Sequence, residues 1–233
     1  MKKRTGFTLA EVLITLTVIG VVAAITLPSI NSNTGAARSR ALLKKGISTL
    51  NNAVMMNVAN NEWSFADITE GGLTDANCKT ARPSESRSMC ALLNEALVGE
   101  TYTGQGDNLG IGYTRHRDLE NIFTGSSGAL IGYRLSDGIL IGITGYTSDH
   151  TCTESDEGFA DDCGGFIDIN GPKGPNTIIQ CKDPAETKLI NDEDYTECEV
   201  ANNPNADVFP FVFYDSTVEL ASNAAKHFLI NRF

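Results

Sequence analysis

The chain has 233 residues, and its 29 Asp and Glu outweigh its 18 Lys and Arg for a formal net charge of −11. That balance argues against nucleic-acid binding by phosphate neutralisation and against docking on an anionic lipid surface. Once a long apolar N-terminal stretch is set aside, the remaining length suits one globular domain rather than two.

Three cations, Lys2, Lys3 and Arg4, come first, followed by Gly6 and Phe7. An apolar run then extends to Leu27 with one charge inside it, Glu11. Phe7 to Leu27 is 21 residues, roughly 31 Å as a helix at about 1.5 Å per residue. A hydrocarbon core is about 30 Å thick. With the flanking cations, this predicts one membrane-spanning helix whose N-terminus is cytoplasmic. A carboxylate inside such a helix costs on the order of 2.5–3.5 kcal/mol at its centre, and is kept where it has a partner. No Lys, Arg or His follows Glu11 until Arg38. Cleavage after Gly6 would create an α-amino group on Phe7, four residues before Glu11, able to neutralise it in the same chain or a neighbouring one. It would also remove three cations and take the formal charge from −11 to −14. A secretory signal is the competing reading, but its apolar core is usually about 7–15 residues and ends in a small-x-small site. This run is longer, contains Glu11 and lacks that ending.

The run bears a further pattern. Lys3-Arg4-Thr5-Gly6-Phe7-Thr8-Leu9-Ala10-Glu11 resembles the leader and N-terminus of type IV prepilins, the family of type IV pilins and of type II secretion pseudopilins. The resemblance covers residues 1–60. It implies that a membrane aspartyl peptidase cuts after Gly6 and methylates Phe7. It implies that Glu11 pairs with the N-terminal amine of an adjacent subunit, and that Pro28 bends the helix. The implied partners are the peptidase, other pilin or pseudopilin subunits and an inner-membrane assembly platform. The implied location is the inner membrane, single-pass, with the head in the periplasm or on the cell surface.

Pro28 would remove one helical hydrogen bond and kink the helix, and Asn31 to Gly35 is helix-breaking in composition. Helical periodicity then resumes: Leu43, Ile47, Leu50, Val54 and Val58 form one stripe, and Arg38, Arg40, Lys44 and Lys45 cluster near its start. Residues 7–60 therefore read as one long, bent helical spine after a leader at 1–6, and residues 61–233 as a head. Residues 61–127 read as irregular, with Trp63 and Phe65 capping the core and a short helix over Ser88–Val98. Ala129–Leu135 and Ile139–Thr144, separated by Ser136-Asp137-Gly138, predict a hairpin at the centre of a sheet. Phe166–Ile169 and Phe209–Tyr214 predict two further strands. Val218–Phe233 alternates weakly and reads as a short amphipathic helix. The fold class is α+β: a long helical spine, spanning the membrane in its first half, packed on a small antiparallel sheet with disulfide-stapled loops.

Six cysteines, Cys78, Cys90, Cys152, Cys163, Cys181 and Cys198, all follow the apolar run. An even number in an exported domain reads as disulfides, with 15 pairings open. Sequential pairing is preferred because each pair then closes a polar, turn-rich loop. No C-x-x-C occurs and His116, His150 and His227 are scattered, which disfavours zinc. Asp168 and Asn170 before Gly171, with Asp207 further on, resemble the first half of a calcium loop. The competing reading is a turn in which these side chains bond to backbone amides, and it is the preferred one. Calcium is therefore the one candidate cofactor. Glu154 to Asp162 reads as a solvated acidic loop. No G-x-S-x-G, H-E-x-x-H, P-loop or G-x-G-x-x-G pattern is present, so no enzyme activity is expected. The function expected is a structural subunit of a secretion pseudopilus or a type IV pilus-like filament. The size of the head leans towards a minor or tip subunit. A membrane-anchored extracytoplasmic enzyme or binding protein is the alternative.

Overall fold

The structure is a computed structural model that describes residues 8–69, 75–97, 101–105, 130–144, 152–154, 163–171, 176–190, 194–201 and 206–230. Helix α1 runs from Leu9 to Asn61, 53 residues, and is continuous through Pro28 and the Asn31–Gly35 stretch. The helix-breaking composition of Asn31–Gly35 is thus carried within the one long helix that the sequence predicts. Once a helix is nucleated each added residue contributes one bond, so a few poor formers between two long favourable segments do not end it. It ends at Glu62, left-handed at φ 61°, whose N–H donates to Val58 O.

Two short helices follow, α2 over Asp75–Thr80 and α3 over Met89–Ala96. Ser88 caps α3 through its hydroxyl, which accepts from Ala91 N at 3.2 Å. Among the described residues six strands form one sheet: β1 Thr101–Gln105, β2 Leu130–Arg134, β3 Leu140–Thr144, β4 Gly164–Asp168, β5 Val208–Tyr214 and β6 Thr217–Leu220. Their spatial order is their chain order, and every neighbouring pair is antiparallel. Helix α4, Asn223–Ile230, closes the described chain. The hairpin expected at residues 129–144 is β2–β3, with Gly138 at φ 94° in its turn. It lies beside the middle of the sheet, because β1 adds an edge beyond it. Strands β1 and β6 were not anticipated. Thr101–Gln105 lacks apolar alternation, and Thr217–Leu220 is short and merges with the helical pattern that follows.

Both sheet faces are buried, and the two-residue period sorts them. Ile141, Ile143, Ile167, Phe209, Phe211 and Phe213 join the core with Leu43, Leu50 and Val54 of α1 and Leu92 and Leu93 of α3. Leu140, Phe166, Val208 and Val212 face the other way, against Ile178, Leu189 and Ala221. Strands covered on both sides read as near-continuous apolar runs, which is what VFPFVFY shows. Two glycines let rings cross the sheet. A Cβ at Gly142 would lie 2.3 Å from the Phe166 ring, and one at Gly165 2.7 Å from the Phe211 ring; in each case the ring belongs to the residue opposite in register.

Polar groups fix the head on the spine. The Asn51 amide donates to Val218 O and accepts from Val218 N, both at 3.0 Å, so one side chain stands in for a neighbouring strand at the β6 edge. Arg40 Nε donates to Phe228 O at 2.8 Å and its guanidinium lies 5.1 Å from that ring's centre. Lys45 pairs with Asp137 in the β2–β3 turn. Three disulfides join Cys78 to Cys90, Cys152 to Cys163 and Cys181 to Cys198. Loops of this size contribute about 2–4 kcal/mol each by restricting the unfolded chain.

At the far edge Tyr214 OH donates to Glu219 at 2.8 Å, and Lys226 pairs with the same carboxylate at 3.0 Å. Burial, and then the bond to Glu219, push the Tyr214 phenol up to about 12. The folded chain therefore holds this proton longer than the unfolded one. The associated stability is complete below about pH 10 and is lost as the pH rises towards 12. Ultraviolet titration of tyrosinate should show a tyrosine ionising near pH 12 that disappears in Tyr214→Phe. An unchanged titration curve for that variant would contradict the assignment.

Candidate functional site

The N-terminal end of α1 is built by a local reciprocal arrangement. Thr8 is extended at φ −76°, ψ 150°, and its hydroxyl accepts from Glu11 N at 3.3 Å. The Glu11 carboxylate accepts in return from Thr8 N and from Thr8 Oγ1, both at 2.8 Å. This is a capping box, the T-x-x-E pattern that satisfies two of the amides a helix start leaves without partners. A carboxylate in the first turn also complements the positive end of the helix dipole. The sequence carries this signal in Thr8 and Glu11, although the reading above sought only a cation partner for the glutamate. Gly6 and Phe7 lie outside the described residues. Pro28 lies within α1, and no contact of its side chain is described.

From Leu9 to Val22 the helix is apolar on all sides apart from Glu11 and its threonines, and its large apolar side chains are exposed. Nine large side chains are exposed, among them Leu9 at 80%, Ile14 at 65% and Ile19 at 63%. The polar residues within the run are masked locally: Thr15 donates to Val12 O at 2.9 Å and Thr17 to Leu13 O at 2.8 Å. Such back-bonding removes hydroxyl donors from an apolar surface. A contiguous apolar surface of this extent marks contact with lipid or protein. Among the described residues no helix is long and apolar enough to cross a membrane; the described side chains of this run stop at Ala24.

In the head, Asp168 and Asp207 are buried at one corner. Asp168 Oδ1 accepts from Asn170 N at 3.1 Å. Asp207 Oδ1 accepts from Thr177 N at 2.7 Å and Oδ2 from Asn176 N at 3.0 Å, while its own carbonyl accepts from Ile169 N at 2.9 Å. Gly171 at φ 66° turns the chain where a Cβ would meet Gly138 O at 2.6 Å. Each of the two Asp207 oxygens thus holds a backbone amide, and together they tie residues 176–177 to the start of β5. Among the described residues no group of three His, Cys, Asp or Glu could hold a metal ion. The acidic run after Glu154 lies outside the described residues.

A second hub escaped the reading of the sequence. Buried Asn223 accepts from Lys188 N at 3.0 Å and from Ala224 N at 2.8 Å, and donates to Glu186 O and Thr196 O at 2.8 Å each. It fastens the loop closed by Cys181–Cys198 to the first turn of α4. No local pattern marks it, because three of its four partners, Glu186, Lys188 and Thr196, lie 27 to 37 residues away in sequence.

Residues 1–27 match the family model described as the prokaryotic N-terminal methylation motif. That segment is the prepilin-type cleavage and methylation segment of type IV pilins and pseudopilins. No curated protein and no solved structure matches the chain.

Proposed function

We propose that the chain is a non-enzymatic structural subunit, inserted in the inner membrane, trimmed after Gly6, methylated on Phe7 and added to a pilus-like filament of the type IV pilus or type II secretion class. The observation that carries this reading is the pairing of a matched methylation motif with nine exposed large apolar side chains between Leu9 and Val22. Before assembly, lipid covers that surface: Phe7 to Leu27 is long enough for a bilayer core. In the filament, other spines cover it, and heterologous contacts that do not close generate a fibre from a single pair of surfaces. The acidic, disulfide-stapled head then faces outward, in a compartment where disulfides persist. The prepilin peptidase, sister subunits and an inner-membrane platform are the partners this reading requires, with residues 1–6 as leader, 7–60 as spine and 61–233 as head.

Intact mass and N-terminal sequencing of the native membrane protein test it. The expected product begins at N-methylated Phe7 and is six hydrogens lighter than the reduced chain. In Gly6→Val the branched side chain should block cleavage and leave the precursor. Normal mature protein in that variant, or a start near residue 25, would overturn the reading.

The Asp168–Asn170–Asp207 corner is proposed as a hydrogen-bonded turn that positions β4 and β5 rather than as a calcium site. Adding calcium or a chelator should leave the thermal midpoint of the head unchanged. A rise of several degrees with calcium would assign the corner to the ion instead.

A further inference from the structure

Charge in this chain is divided by position. Of 18 Lys and Arg, three stand in the first six residues and four in α1; of 29 Asp and Glu, only Glu11 lies in α1. The chain after Asn61 therefore carries 11 cations against 28 acids. Two of the four spine cations are engaged with their own head, Arg40 at Phe228 and Lys45 at Asp137. The other two, Arg38 and Lys44, are exposed and have no partner among the described residues. They stand on the half of α1 turned away from the buried Leu43, Gly46 and Leu50. Further along that outward half, Met55 and Met56 are 58% and 51% exposed.

The acids have a focus of their own. Between Cys181 and Cys198 there are six Asp and Glu against two Lys, and Asp183, Glu186, Asp194 and Glu197 are exposed. Asn223 fastens this loop to the first turn of α4, while Phe228 in the same helix rests on Arg40. Five residues separate those attachments, about 8 Å of helix. The acidic loop therefore hangs near the foot of the head, close to the point where the basic stretch of the spine emerges.

We infer that Arg38 and Lys44 of one copy dock on the acidic Cys181–Cys198 loop of a neighbouring copy, an inference that rests on the filament reading above. The docking requires an axial step between copies of about five residues, roughly 8 Å, which brings Arg38 of one spine level with Leu43 in the next. Met55 and Met56 continue the same contact face with apolar surface. Opposite charges placed this way fix register and speed encounter. A lipid partner fits less well. Arg38 is eleven residues beyond Leu27, about 16 Å of continuous helix, whereas headgroups extend only about 5–8 Å past the hydrocarbon.

Reciprocal charge reversal in the full-length chain tests the docking, with fibre yield read from the sheared extracellular fraction or from cross-linked oligomers in membranes. Arg38→Glu with Lys44→Glu should lower assembly about tenfold or more, and so should Glu186→Lys with Glu197→Lys. Combining all four should restore assembly to within about threefold of wild type. Far-UV circular dichroism and the thermal midpoint of each variant should match wild type, since all four side chains are exposed. Wild-type fibres with unaffected reversals, or two defects that do not rescue each other, would sink the docking and leave the filament reading standing. Absence of wild-type fibres in cells with an active peptidase would remove both. Loss of binding to phosphatidylglycerol vesicles in the Arg38/Lys44 variant, with fibres intact, would overturn the docking in favour of lipid.

Discussion

Replacing Glu11 by Leu should leave the protein in the membrane and remove it from fibres. The substitution makes the spine more apolar, so insertion is relieved of a cost on the order of 2.5–3.5 kcal/mol at most. What it removes is the only anion between Phe7 and Asn61. In the isolated chain that carboxylate is held by Thr8 N and Thr8 Oγ1, both at 2.8 Å, and Thr8 is the residue next in sequence to the amine that cleavage after Gly6 would create. A subunit entering a filament exchanges lipid for other spines, and an ion pair formed in that low-dielectric setting is far stronger than one in water. The expected loss in fibre incorporation is tenfold or greater, with unchanged signal in the membrane fraction. Glu11→Gln separates the two roles of the residue. Glutamine keeps the capping box and loses the charge, so it should fail like Leu if charge pairing drives assembly. Wild-type incorporation of the Gln variant would reduce Glu11 to a helix cap. Full incorporation of the Leu variant would favour a plain anchor carrying an independent enzyme or binding domain.

Asn223→Ala should be the most damaging single polar change in the head. The variant leaves the carbonyls of Glu186 and Thr196 and the amide of Lys188 without the partner they have in the native chain. These backbone groups are partly buried; a fully buried group stripped of its partner costs about 1–3 kcal/mol, and here some will find water. We expect about 3 kcal/mol in total and a thermal midpoint lower by roughly 6–12 °C for a domain of this size. The Cys181–Cys198 bond will still close the loop, so the loss should appear as earlier proteolysis between those cysteines in the oxidised protein. Asn223→Asp is a second probe: it keeps the acceptor for Lys188 and Ala224 but loses both donors, and should fall between wild type and Ala. A midpoint within 2 °C of wild type for Asn223→Ala would show that the loop is held by its disulfide alone.

Local chemistry was legible from the residues wherever period and spacing act over one element. The Leu43–Val58 stripe, the Ser136–Gly138 turn and the β-branched runs around it each declare one face or one bend, because i, i+4 and i, i+2 neighbours decide burial there. The T-x-x-E box was equally local, and was passed over because the apolar setting drew attention to charge pairing alone. The short edge strands were not legible. Thr217–Leu220 becomes a strand because β5 and Asn51 supply its hydrogen bonds, and a four-residue stretch has no propensity strong enough to announce that.

The amino-acid sequence by itself determined the N-terminal methylation motif, the apolar run and its length, the division of charge between the long helix and the rest of the chain, and an even set of cysteines. Each is a property of composition or of spacing along one helix, and needs no knowledge of what lies across the molecule. Tertiary structure alone decided which cysteines meet, that six strands run in chain order, that Asp207 serves backbone amides, and that Asn51 and Asn223 hold edges and loops in place. Those outcomes depend on groups brought together across gaps of up to 167 residues, as for Asn51 and Val218. Closing such distances becomes favourable only when the whole apolar core forms at once.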